Sequence, residues 1–165
     1  MNSKPIVAAV LVAAASFSVG PANAGQTISE DSGKYVCVID KWDEKEPEKG
    51  HKLVDSASRD VYFPDDPSKY ALFEGQAGSS DECVGKYEYM PDGSWKGSGT
   101  CTETFKGGDK LHFTWEEGSH LTESTYQYTG GTGKYKDAKG GGTYKVENIT
   151  DTLCSGWYKG KIELP

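Results

Sequence analysis

The sequence predicts an all-β protein: one antiparallel meander of about seven or eight strands, closed into a barrel or folded into a sandwich. Three observations carry this. The 21 glycines are spread among stretches rich in Tyr, Thr and Trp, a composition suited to pleated, half-buried strands joined by tight turns. Short segments alternate apolar and polar residues with a period of two, and almost nothing reads as helix. About seven or eight such segments follow one another through mostly short turns. A meander of that size closes into a barrel or folds into a sandwich, because open sheet edges are adhesive.

Taken in order, Tyr35-Val36-Cys37-Val38-Ile39 is the first strand. Asp40 to Lys52 is strongly charged and contains Pro47 and Gly50, so it reads as an exposed loop. Leu53-Val54 and Val61-Tyr62-Phe63 flank the polar stretch Asp55 to Asp60, and Pro64-Asp65-Asp66-Pro67 ends the region in a turn. From Glu82 to Met90 the alternation places Tyr87 and Tyr89 on one face. Pro91-Asp92-Gly93-Ser94 is a hairpin turn, where proline presets φ and glycine takes the positive φ. Trp95 to Phe105 is the returning strand, and Gly107-Gly108-Asp109 makes the next turn. In Leu111 to Glu116, Leu111, Phe113 and Trp115 share one face and His112, Thr114 and Glu116 the other. Ser124 to Thr129 carries Tyr126 and Tyr128 together, and Thr143 to Asn148 and Trp157 to Leu164 complete the series. No repeat of fixed period is present.

The N-terminus has the three parts of a cleavable export signal. Lys4 is basic, Ile6 to Val19 is apolar apart from Ser16 and Ser18, and Ala22-Asn23-Ala24 offers small residues before Gly25. The expected organisation is a signal peptide over 1–24 and a single barrel domain over 25–165. The apolar run is short for a membrane span and no basic stop-transfer cluster follows it, so no stable membrane insertion is expected. The net charge is −7, and one unit more negative once Lys4 is removed. That balance argues against nucleic acid as a partner.

Cys37, Cys83, Cys101 and Cys154 make an even set in an exported chain, which points to disulfides. Cys83 and Cys101 lie nearly equidistant from the Asp92-Gly93 turn and can face one another across the hairpin. Cys37 and Cys154 remain, on the first strand and just before the last, and in a closed barrel they would staple the closure. No Cys-x-x-Cys pair exists, and His51, His112 and His120 lack zinc-finger spacing, so no metal is expected. Asp65-Asp66 and Asp81-Glu82 lack the ligand spacing of a calcium loop.

Thr129-Gly130-Gly131-Thr132-Gly133-Lys134-Tyr135 looks like a phosphate cradle but fails the test. A P-loop needs Ser or Thr after the Gly-Lys and a helix behind it; here Tyr135 follows, and Gly140-Gly141-Gly142 returns to strand. No nucleotide or other cofactor is expected. The segment Gly130 to Gly140 instead resembles the Gly-Gly-Thr-Gly stretch shared by plant dirigent proteins and allene oxide cyclases. It is also similar to small exported bacterial barrel proteins, which carry Gly-Ser-Gly-Thr-Cys-Thr and a Gly/Asp-Lys turn, as at Gly97 to Cys101 and Gly108 to Lys110. The resemblance spans roughly Cys83 to Glu163. It implies an eight-stranded antiparallel barrel with a small cavity, apolar or phenolic small-molecule ligands and, from the plant groups, a homo-oligomer. With the short Ala-x-Ala signal it implies export to the periplasm or extracellular medium of a bacterium, and Asn148-Ile149-Thr150 is then a chance sequon.

Tyr87, Tyr89, Trp95, Trp115, Tyr126 and Tyr128 are the candidate ligand-binding residues, with Trp157 beside them; the same rings can alternatively fill a small barrel. The acid–base candidates are Glu103, His112 and Glu116. A two-residue turn at Gly107-Gly108 sets Glu103 opposite His112 on one face, whereas a longer turn sets it against Phe113. Charged side chains are rarely buried unless paired, so the expected place for all three is the solvated outer face. The functions that remain are binding of a small apolar or aromatic molecule, a cyclase or isomerase acting by confinement, and a filled structural barrel.

Overall fold

The computed structural model describes residues 27–66 and 78–165; the expected signal segment lies outside them. Eight strands follow one another: β1 (Thr27–Glu48), β2 (His51–Pro64), β3 (Ser79–Tyr89), β4 (Trp95–Thr104), β5 (Lys110–Gly118), β6 (Ser124–Gly131), β7 (Lys139–Asn148) and β8 (Leu153–Leu164), with a 3-10 turn at Gly133–Tyr135. Each pairs antiparallel with the next, and β8 pairs with β1 from Thr27↔Leu164 to Val38↔Leu153, closing the barrel. Closure removes the sheet edges, as the meander requires.

The charged stretch Asp40 to Lys52 departs from the expected loop. β1 and β2 run through it and turn at Gly50, whose φ is +80°. Apart from Trp42, its side chains are solvated on both faces, so it needs no apolar alternation. Its charges pair across and along the strands, with Lys52 Nζ 2.7 Å from Glu44 and Lys41 Nζ 3.0 Å from Asp43. Asp55 to Asp60 does not interrupt β2 either.

The disulfides Cys37–Cys154 and Cys83–Cys101 each join directly opposed residues on neighbouring strands. All four cysteines are buried and face the barrel interior. Side chains alternate across a strand, so these cysteines fix what else points inward. Asp31 and Tyr35 share a face with Cys37, Asp81 and Tyr87 with Cys83, and Glu103 and Phe105 with Cys101. In β1 a register shift between Ile39 and Lys41 lets both Ile39 and Trp42 reach the interior.

One end of the barrel is plugged. Phe105, Leu111, Tyr135, Ala138, Ile162 and Leu164 form a buried cluster there, with Tyr135 from the 3-10 turn stacked on Phe105 at 4.5 Å. The glycine-rich segment therefore delivers an apolar cap. Gly130, at φ +110°, allows the bulge that precedes it. The opposite end carries the Gly50 and Gly93 turns and stays open.

Candidate functional site

Above the plug lies a cavity of about 380 Å³. Its mouth is marked by Trp42, Tyr89, Trp95 and Asn148, all exposed or half-exposed. Below them the wall is aromatic. Tyr87 lies 5.0 Å from Trp42 and 5.5 Å from Trp115, and Tyr126 lies 5.4 Å from Tyr128, centroid to centroid. Trp115 can lie flat against the wall because Gly85 and Gly99 sit beneath its ring; a Cβ on either would collide with it.

The cavity's second feature is acid. Asp31, Asp60, Glu103 and Glu117 line the cavity, and with Asp81, cross-strand from Asp60 but not itself on the wall, they are all buried, one from each of β1 to β5. Asp60 and Asp81 are cross-strand partners, as are Asp81 and the neighbour of Leu111, Glu103. The Tyr62 hydroxyl donates to Asp81 Oδ2 at 2.8 Å, and the Asp60 amide donates to Asp81 Oδ1 at 3.2 Å. Ser79 donates to Glu103 and Tyr128 to Asp31. Nearer the mouth, Tyr144 donates to Glu117 at 2.8 Å and Tyr87 approaches the same carboxylate at 3.4 Å.

Burial penalises the charged form of each acid. It pushes Asp31 up to about 6, against the opposing hydrogen bond from Tyr128. It pushes Glu103 up to about 8, with a further rise from Asp31 and an opposing hydrogen bond from Ser79. Asp81 rises through burial and then through the charge of Asp60, and Asp60 rises through burial. Burial raises Glu117 as well. A carboxylic acid kept neutral is a hydrogen-bond and proton donor.

Tyr87, Tyr89, Trp95, Trp115, Tyr126 and Tyr128 all line the cavity. Trp157 does not; it lies with Lys159 Nζ 5.2 Å over its ring. The acid–base candidates separate. Glu103 is inside, 7% exposed, contrary to the solvated place expected for it. The β4–β5 register pairs it with Leu111, which is buried, and Ser79 hydrogen-bonds its carboxyl. His112 pairs instead with Thr102, and its Nδ1 is 3.1 Å from the Thr102 hydroxyl. Glu116 is exposed and bonded to His120 at 3.3 Å. Sequence reasoning missed Asp31, Asp60, Asp81 and Glu117 as site residues. The signal was present: each lies two or four residues from an inward Tyr, Cys or Trp. Among the described residues, Asp81, Cys83 and Cys101 come close enough together to suggest a metal cluster, but both sulfurs are committed to a disulfide.

No protein-family model matches the chain, and no curated protein matches it. Solved structures do share its fold. A protein of unknown function of the DUF3224 family from Shewanella oneidensis superposes with a TM-score of 0.58 at 9% identity, covering 84% of this chain and 98% of that one. The pterocarpan synthase dirigent protein GePTS1 gives 0.53 at 14% identity, covering 84% and 91%. The pterocarpan synthase dirigent protein PsPTS1 gives 0.51 at 13%, covering 84% and 95%. The chain therefore has the dirigent-type barrel fold. Among the described residues no helix is long and apolar enough to cross a membrane.

Proposed function

We propose that this protein is an exported carrier or receptor that binds a small aromatic molecule inside its barrel. The observation that carries the reading is the aromatic cavity of about 380 Å³ above the Tyr135 plug. It falls within the range of ligand sites, roughly 300–1,000 Å³, and a barrel filled by its own side chains would leave no such space. Export is the reading that suits two disulfides. The test is native mass spectrometry of the protein purified from its own exported fraction. An added mass of a few hundred daltons, lost on denaturation, is expected; a bare mass, together with no quenching of tryptophan fluorescence by any aromatic probe, would reject binding.

One observation favours a second reading, ring closure or isomerisation of a confined substrate. Glu103 is a buried acid held mostly neutral near pH 7, and it lines the same cavity. Such a group can deliver a proton to a substrate kept from water. Two barrels of this fold bear the name pterocarpan synthase. In this reading Glu103→Gln abolishes turnover while retaining binding, whereas in the carrier reading it alters affinity and no product forms with either protein.

A further inference from the structure

We infer that the molecule taken by this cavity is an organic cation, an amine on an aromatic body, whose ammonium group sits among Asp31, Asp60 and Glu103 while its ring packs against the tyrosine and tryptophan wall. The inference rests on the binding reading above and specifies its ligand class.

The lining is one-sided in charge. Asp31, Asp60, Glu103 and Glu117 face the cavity, and among its described lining residues there is no Lys, Arg or His. Buried carboxylates in a folded protein ordinarily meet a basic partner; here the partners are hydroxyls and an amide. Asp31 is 3% exposed, and its Oδ1 has no hydrogen-bond partner although its Oδ2 accepts from Tyr128. A carboxylate oxygen left without a partner, on a buried residue that lines a cavity, is an acceptor awaiting a donor.

The rings are the second requirement of a cation site. The negative faces of Tyr and Trp attract an ammonium within about 6 Å, more strongly when water is excluded. Tyr62 and Tyr158, 5.4 Å apart, lie beside the acids, with Tyr126 and Tyr128 also lining the cavity. Burial drives the carboxyls toward their neutral form, and a cation is the ligand whose charge reverses that cost. An anionic ligand would face repulsion with no compensating base. The chain's net charge of −7 also favours the approach of cations.

The test compares two probes of equal size, phenethylamine and neutral 2-phenylethanol, titrated at pH 7.5 into the full-length exported protein by calorimetry. The expected result is at least a tenfold tighter complex with the amine. Asp31→Asn and Glu103→Gln are each expected to erase most of that preference by weakening the amine far more than the alcohol, and an unchanged near-ultraviolet circular dichroism spectrum shows that the variants are folded. Equal or tighter binding of 2-phenylethanol overturns the cation inference and leaves the binding reading standing, with the acids serving as neutral donors. Failure of both probes at millimolar concentration overturns both.

Discussion

Asp60 and Asp81 stand directly opposite one another on β2 and β3, both buried, with the Asp60 amide donating to the Asp81 carboxyl. Two carboxylates in that position repel one another, so the folded barrel retains protons that the unfolded chain would release. Each acid with a raised pKa contributes stability that is full below its unfolded value and lost as the pH rises through its folded value. For Asp31 that window runs from 3.8 to about 6, and for Glu103 from 4.5 to about 8. The ligand-free protein is therefore expected to become less stable from pH 5 to pH 8, by roughly 1.4 kcal/mol per pH unit for each retained proton. Carboxylates with lowered pKa nearer the surface, such as Asp40 and Glu88, act in the opposite sense, but only below about pH 4. Urea denaturation at a series of pH values measures the slope; a stability that rises over this interval contradicts the assignment.

Glu103→Gln isolates one member of the set. The amide is nearly isosteric, cannot ionise, and retains an oxygen for Ser79. The variant is expected to match the wild type near pH 5 and to exceed it by about 1–3 kcal/mol at pH 8.5, because the wild type must then bury a charge or hold a proton against the solvent. Equal stability at both pH values would place the Glu103 carboxylate in water.

The disulfides are expected to contribute unequally. Cys37–Cys154 spans 117 residues and Cys83–Cys101 spans 18. Loop-closure entropy in the unfolded chain then gives about 5 kcal/mol for the first and about 3 kcal/mol for the second. The first also fixes β1 to β8, the pair that closes the barrel. Removing each bridge as a paired Cys→Ala variant and comparing denaturation midpoints under oxidising conditions checks the order. A larger loss from the Cys83–Cys101 pair would show that the closure is held by its strand pairing alone.

The meander, the hairpin at Asp92-Gly93 and the inward face of Leu111, Phe113 and Trp115 are all readable in the sequence, because apolar alternation and turn chemistry agree there. The β1–β2 hairpin is not, because its charges signal exposure, which a loop and a solvated hairpin share. A strand wet on both faces carries no period-two signal. The buried acids are hidden for a related reason. Asp60 closes the polar stretch that begins at Asp55 and Asp81 adjoins Glu82, so neither stands out as buried, although Asp60 is two residues from Tyr62 and Asp81 two from Cys83. Parity from the inward cysteines would have placed Asp81 and Glu103 inside; what composition cannot supply is that a barrel interior tolerates them, through hydroxyl donors brought from other strands.

The last expectation concerns the wall on which the ring of Trp115 rests. Gly85 on β3 and Gly99 on β4 are register partners, and Gly99 is also paired with Trp115 on β5. The absence of two side chains there gives the indole a flat seat and keeps it out of the cavity's centre. Gly85→Ala puts a methyl group into that seat, where it meets the indole before any backbone atom. The ring must swing inward, because its outer side is the sheet itself. The expected cost is about 1–3 kcal/mol, typical of overpacking, with a smaller cavity and a changed tryptophan emission. Trp115→Phe in the Gly85→Ala background should recover much of the stability, since the smaller ring clears the new methyl. If the double variant is no more stable than Gly85→Ala alone, the strain lies in the β3 backbone, and the indole does not depend on its glycine seat.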